Sequence, residues 1–155
     1  HHSVIFQPEK RLMWVSTSPW QCGKYVAYDL NKIFKDTIDW QHEIYSSDLT
    51  IPEDKFIDTP EFQHLLTYKK LTPLLLKKIR KKEQIEESVL KTYQASNPSL
   101  YYVYEVIGDY YEAMQQSKQA IAYWQQALKK SIPKLQEKER IQQKIQKQSK
   151  DGKES

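Results

Sequence analysis

The sequence predicts a mainly α-helical protein with a short β segment, in which a β-hairpin and a third strand precede a series of repeat-like helical hairpins. Short runs of bulky apolar residues separated by turn signals occupy residues 3–28, as expected for strands. Apolar residues recur at helical spacing over residues 60–148. Only 39% of the 155 residues are hydrophobic, which favours an elongated helical body over one spherical core.

The β segment contains three predicted strands. Residues 3–6 and 11–17 form a hairpin around Pro8, which suits the second position of a tight turn. Residues 24–28 form the third strand. Three short strands cannot bury both faces of a sheet, so we expect them to complete a larger α/β sandwich sheet whose remaining strands lie upstream of His1. The alternative is that the downstream helices cover one face of a small independent sheet.

Residues 31–59 are predicted to form an ordered connection. Asp29 caps a short helix that ends near Phe34. Beyond it, aromatic residues such as Trp40 are scattered among Asp, Ser, Thr and Pro, which predicts irregular structure over residues 36–59. Because these aromatic side chains need burial, we expect the connection to lie against the body of the protein.

Helix start and stop signals follow. Thr59-Pro60 pairs a capping residue with proline at the first helical position and predicts a helix to about Lys70. Thr72-Pro73 repeats the signal and predicts a second start, followed by a helical stretch to about residue 95 with a candidate break near Lys82. Asn97-Pro98 ends that stretch.

The end of the chain is polar. After Pro133, a thin apolar stripe among Lys, Gln and Glu predicts an amphipathic capping helix to about residue 148. Residues 149–155 are predicted to be a disordered tail.

Residues 101–133 carry the most regular pattern. Gly108 permits a second helix to lie close to the first, and Ala120 and Ala127 are small where two helices touch. Ser117 is the predicted N-cap of the second helix. Bulky side chains fill the gaps between the helices: Tyr104, Tyr111 and Trp124. The spacing resembles that of a tetratricopeptide repeat, a packing and binding unit. Residues 60–148 are therefore predicted to form a tetratricopeptide-like helical domain.

One face of the first helix is the candidate partner-binding site. The repeat pattern places Tyr102, Glu105, Asp109 and Glu112 on the concave side, so the groove would be acidic and would receive a protein or peptide partner. The alternatives are a solvated helix face and a contact with the chain's own preceding segment. An acidic groove cannot be a basic clamp for a partner's C-terminal carboxylate.

The β segment also resembles a known family. Residues 3–17, Pro19-Trp20-Gln21 and residues 23–30 are similar to the last strands of acyl-coenzyme A:6-aminopenicillanic-acid acyltransferase-like proteins, which belong with the choloylglycine-hydrolase-type N-terminal-nucleophile hydrolases. The resemblance implies a four-layered sandwich, cleavage or transfer at an amide bond, and a periplasmic or secreted location. It also implies a cysteine nucleophile freed at a new N-terminus, with its own α-amino group as base.

This chain departs from that family at the nucleophile. The family's nucleophile is generated between Gly and Cys, whereas this chain has Cys22-Gly23 in the reverse order. The family's other functional groups lie upstream of the matching stretch. No catalytic residue is therefore assigned, and the chain alone is predicted to be inactive. Trp14 and Trp20 are candidate lining residues of a substrate pocket; the alternative is packing against the rest of the sheet.

Composition excludes several classes of function. Three glycines exclude Gly-rich phosphate loops, and no apolar run is long enough for a transmembrane helix. The net charge is only +4, and the basic cluster at residues 77–82 is interpreted as a solvated helix face, so no nucleic-acid partner is predicted. The single cysteine, Cys22, is interpreted as a small packed side chain. No metal or cofactor site is predicted.

Two functional hypotheses follow. The first is a non-catalytic C-terminal portion of an N-terminal-nucleophile acyltransferase or amide hydrolase, which pairs through its strand edge with the upstream part of the same protein. The second is a tetratricopeptide-type adaptor with no enzymatic role.

Overall fold

The computed structural model describes residues 3–34 and 44–151 of the chain, with a backbone description only at Asp151. The chain divides into two compact units between Gln63 and His64. Helices dominate and are preceded by a small antiparallel sheet, which confirms the predicted mainly α fold with a short β segment.

The N-terminal unit is built on a four-stranded sheet. Its strands follow one another in both sequence and space and pair antiparallel: β1 (Val4–Gln7), β2 (Leu12–Ser16), β3 (Tyr25–Asp29) and β4 (Ser46–Ile51). A 3₁₀ turn at Pro8–Lys10 joins β1 to β2, and Arg11 closes it with a φ of 53°. The predicted hairpin and third strand are therefore present.

Strand β4 corrects the prediction of irregular structure over residues 36–59. The segment Ser46–Ile51 has little strand character of its own. It forms because the backbone of β3 is free to pair on one side. The pairing has a register shift between Tyr25 and Ala27, and the side chain of Thr50 bridges it. The Thr50 hydroxyl accepts a hydrogen bond from the Ala27 amide at 3.3 Å and donates one to the Ser46 carbonyl at 2.9 Å. Trp40 lies outside the described residues.

Two local start signals behave as predicted. Asp29 caps the short helix α1 (Leu30–Ile33), and its carboxylate accepts a hydrogen bond from the Asn31 amide at 3.0 Å. Thr59 caps α2 (Pro60–Lys81), and its hydroxyl accepts a hydrogen bond from the Phe62 amide at 3.3 Å. Both depend on neighbours within three residues, which is why the sequence alone reveals them.

The predicted helix start at Thr72-Pro73 is wrong, because α2 continues through Pro73. A proline inside a helix removes one backbone hydrogen bond. Thr72 stays helical and its hydroxyl donates to the Tyr68 carbonyl at 2.7 Å. The same hydroxyl lies 3.1 Å from the Tyr93 hydroxyl of the next helix, so tertiary packing holds the helix together here.

Helix α2 instead ends at Lys81, beside the break predicted near Lys82. Lys82 has a φ of 55°, and the amides of Lys82 and Glu83 donate to the carbonyls of Ile79 and Lys78 at 3.0 Å. This is a Schellman ending, in which glycine is usual. Four further helices complete the C-terminal unit: α3 (Glu87–Ser96), α4 (Tyr101–Ala113), α5 (Ser117–Leu128) and α6 (Leu135–Asp151).

Helices α4 and α5 run antiparallel in close contact. Tyr111 stacks on Tyr123 with ring centroids 5.3 Å apart, and Trp124 is fully buried against Gly108. The prediction that Ser117 is the N-cap of α5 is wrong, because Gln116 occupies that position. The Ser117 hydroxyl donates instead to the Gln148 side chain of α6 at 2.7 Å.

The core of the C-terminal unit is continuous and lies around α4. It consists of Leu75, Ile85, Leu90, Tyr93, Tyr101, Val103, Tyr104, Val106, Ile107, Tyr110, Ala120, Trp124, Ala127 and Ile141. Helix α6 extends through Asp151, so the prediction of a disordered tail is wrong for residues 149–151. Residues 152–155 lie outside the described part of the chain.

Candidate functional sites

The sheet of the N-terminal unit has an apolar face that the described residues of this unit leave partly exposed. Residues paired across an antiparallel sheet share a face, and the register places six apolar side chains together. All six are partly or largely exposed. We call this set the open face: Val4, Phe6, Met13, Val15, Val26 and Tyr28. A sheet normally buries such a face against a second layer.

Strand β1 adds an open edge to the open face. It is a terminal strand of the sheet, and its apolar side chains are among the most exposed of the chain, with Phe6 62% exposed. The Ser16 amide donates to the Ser3 carbonyl at 2.9 Å. Because paired and unpaired positions alternate along an antiparallel ladder, the backbone amides of Val4 and Phe6 point away from β2. The edge can therefore accept another strand.

The N-terminal unit has little core of its own. Phe62 is its one large apolar side chain that is buried, among residues 3–34 and 44–63. Its ring meets Trp20 and Phe56 edge to face, with centroids 6.1 Å and 5.6 Å apart. So small a core contributes little to stability, and burial of the open face would add apolar contacts that the core lacks.

Among the described residues, Trp14 and Trp20 make separate contacts, and their role as pocket-lining residues stays a prediction. The Trp14 indole donates from Nε1 to the Leu49 carbonyl at 2.8 Å, on the sheet face opposite the open face. Trp20 packs against Phe62. A shallow cavity of about 630 Å³ lies elsewhere in this unit, between β3 and β4. Its lining residues are Lys24, Val26, Tyr28, Tyr45, Ser47, Thr50 and Pro52.

Cys22 sits in a tight loop whose backbone is held at several points. Its amide donates to the Pro19 carbonyl at 3.1 Å, and its carbonyl accepts from the Asp54 amide at 2.8 Å. A Cβ atom at Gly23 would lie 2.5 Å from the Ser18 carbonyl oxygen, so this position requires glycine. The Cys22-Gly23 pair thus has a structural explanation.

The predicted acidic groove is occupied by the chain's own helix α6. Arg140 donates to both carboxylate oxygens of Glu105, at 3.0 Å and 2.8 Å. Lys144 bridges Glu105 and Asp109, at 2.9 Å and 2.7 Å. The Gln148 amide donates to Glu112 at 3.1 Å. We call these contacts between α4 and α6 the ionic ladder.

The ionic ladder is partly shielded from water. The Glu105 side chain is only 2% exposed, and no buried side-chain N or O atom lacks a hydrogen-bond partner in the described part of the chain. Burial alone would raise the pKa of Glu105, but the hydrogen bonds from Arg140 and Lys144 outweigh it and lower the pKa. Burial opposes the charge of Lys144 as well, yet Asp109 and Glu105 together raise its pKa.

The pKa of Asp109 is shifted in the opposite direction from that of Glu105. Burial raises the pKa of Asp109, and the hydrogen bonds from Lys144 and the Trp124 indole offset only part of the rise. The ladder therefore holds two carboxylates, Glu105 and Asp109, whose pKa values are shifted in opposite directions. Tyr102, the remaining predicted groove residue, is half-buried beside Tyr101, and burial raises its pKa.

Sequence analysis missed the basic side of the ladder. Arg140, Lys144 and Gln148 recur every four residues on α6, and the acidic residues of α4 recur at intervals of four and three: Glu105, Asp109 and Glu112. This complementary spacing of charges indicates a contact between α4 and α6. The partner of the acidic face lies in the segment that follows it, rather than in a second protein or the preceding segment.

Comparison with known proteins finds no matching family model, and no curated protein or solved structure with significant similarity. In the described part of the chain, no group of three or more His, Cys, Asp or Glu residues could hold a metal ion. None of the described helices combines the length and apolar character needed to cross a bilayer.

Proposed function

We propose that this chain is a non-catalytic C-terminal portion of an acyltransferase or amide hydrolase of the N-terminal-nucleophile type. Its sheet completes a larger sheet, and its helices form an appendage. The observation that carries the proposal is the open face together with the open edge of β1. The open face would pack against a second layer, and the edge would accept a neighbouring strand.

The reaction type in the proposal, cleavage or transfer at an amide bond, comes from the family resemblance. The stretch that resembles the last strands of that family coincides with β1, β2 and β3, the strands that carry the open face. The close approach at Gly23 and the backbone hydrogen bonds of Cys22 support the interpretation that this pair shapes the loop. The nucleophile of the complete protein would therefore come from another segment.

The alternative is a helical adaptor without enzymatic role. The C-terminal unit supports it in one respect, because it has a continuous core of its own. The ionic ladder argues against the acidic face of α4 as the adaptor's binding groove, since α6 already covers that face.

Residue-resolved hydrogen exchange can test sheet completion. Residues 1–155 are compared alone and joined to the polypeptide encoded upstream of His1. We expect the Val4 and Phe6 amides to exchange rapidly in the isolated chain and to become protected in the longer one. Ile5 and Gln7 are internal controls, because their amides face β2 in both forms. Equal protection of all four amides in a monodisperse isolated chain would contradict the proposal.

Activity provides the second test. The longer protein should cleave amides or acyl thioesters through a cysteine that follows an upstream glycine, and Cys22→Ala should leave the rate unchanged. Turnover by residues 1–155 that Cys22→Ala abolishes would make Cys22 the nucleophile and refute the proposal. An upstream sequence without a Gly-Cys junction, combined with unchanged exchange at Val4 and Phe6, would favour the adaptor.

A further inference from the structure

An apolar groove lies between the C-terminal half of α2 and the start of α3. Its volume is about 560 Å³. Leu74, which faces the groove, is 50% exposed although it lies within a long helix. The apolar lining consists of Leu71, Leu74, Leu75, Ile85 and Val89.

The shape of the groove is elongated. A second cavity of about 140 Å³ shares Leu71 and Val89 with the first and continues past Ser88 and Thr92 of α3. Along α2 the lining extends from Leu71 to Lys81, which corresponds to about 15 Å of helix. A surface of this length matches roughly three turns of a docked helix better than a compact small molecule.

The rim of the groove carries a small excess of positive charge. Lys77, Lys78 and Lys81 line it, against Glu83 and Glu86. Lys81 and Glu83 form a pair at 3.7 Å with both side chains about half exposed, so their attraction is weak. Lys78 donates to the Gln84 carbonyl at 3.4 Å, a long hydrogen bond at an exposed position. The lysines thus remain able to turn toward an anionic partner.

The same unit shows how such a surface is covered. Helix α6 lies along α4 through the ionic ladder, with cations on α6 and carboxylates on α4. At the α2–α3 groove the cations belong to the chain, so a covering helix must supply the carboxylates. We propose that this groove binds an amphipathic helix of a partner protein that carries acidic residues beside its apolar face. This binding site goes beyond the proposed function and does not depend on it.

A synthetic peptide can test the proposal on residues 1–155. The probe is a fluorescein-labelled, amidated peptide of about four helical turns, with Leu on one face and Glu on the flanks. A matched peptide has Lys in place of every Glu. Fluorescence anisotropy should show binding of the Glu peptide, and the Lys peptide should bind at least about tenfold more weakly.

Variants of the chain locate the binding site. Leu74→Glu and the double change Lys77→Glu with Lys78→Glu should each weaken binding of the Glu peptide about tenfold or more. Lys118→Glu with Lys134→Glu is the charge-matched control at exposed positions outside the groove, and it should change binding less than about twofold. Circular dichroism establishes that each variant is folded. The lysine double variant provides the test even if Leu74→Glu is unstable.

Three outcomes would overturn the proposal. The first is equal binding of the Glu and Lys peptides. The second is binding that neither groove variant weakens. The third is saturable binding of sodium laurate that depends on Lys77 and Lys78, with no binding of the Glu peptide, because that result would identify a site for small carboxylate amphiphiles.

Discussion

The contact between Gly108 and Trp124 predicts that alanine, normally the better helix former, will destabilise this protein at residue 108. A Cβ atom added there would lie 2.5 Å from Nε1 and 3.1 Å from Cε2 of Trp124, whereas ordinary contacts are 3.4–4 Å. The indole has no room to retreat, because it is fully buried and its Nε1 donates to Asp109 at 2.9 Å.

The magnitude follows from two opposing effects. Replacing glycine by alanine in a helix normally stabilises it by about 1 kcal/mol. Overpacking a well-filled site costs about 1–3 kcal/mol, and the rigid, anchored ring places Gly108→Ala toward the upper end. We therefore expect a net loss of about 1–2 kcal/mol in the free energy of unfolding.

A double-mutant cycle isolates the contact. Trp124→Leu removes the ring, so in that background Gly108→Ala should stabilise the helix by up to about 1 kcal/mol. The measurement is urea unfolding followed by circular dichroism at 222 nm, with equal m-values required for comparison. The same sign of effect in both backgrounds would refute the close-contact explanation for glycine at this position.

Three further predictions concern the C-terminal unit. Trp124→Ala should lower the free energy of unfolding by about 3–5 kcal/mol, and an unchanged thermal melt would contradict its burial. Gln115→Gly should stabilise by about 1 kcal/mol in urea unfolding, because Gln115 has a φ of 60° and closes a Schellman turn. Glu105→Gln should destabilise at pH 7 by about 1–3 kcal/mol. Because the pKa of Glu105 is lowered, its contribution is present above the unfolded value of 4.5 and is lost as the pH falls through the folded pKa. The difference between the parent and Glu105→Gln should therefore shrink in acid, and a gap that is constant from pH 7 to pH 3 would contradict the ladder.

Local features could be predicted from the sequence because their causes lie within a few residues. The caps at Asp29 and Thr59 and the break at Lys82 are of this kind. The close approach at Gly108 was also predictable, since a lone glycine inside an apolar helix is costly unless a neighbour needs the space. Pro73 shows the limit of local rules, because a contact with Tyr93 holds Thr72 in a continuous helix.

Only the tertiary structure decided which surfaces are covered and which are open. Strand β4 exists because Thr50 reaches Ala27, 23 residues away, and the acidic face of α4 is closed because Glu105 meets Arg140, 35 residues away. The open face of the sheet and the α2–α3 groove are exposed for the complementary reason, that the described residues of their own units do not bury them fully. The sequence alone determined the local caps and breaks, most of the helices, the first three strands and the positions of the charges. Which of them meet depends on long-range packing, whose energy is shared among many contacts and is not encoded in any single stretch of residues.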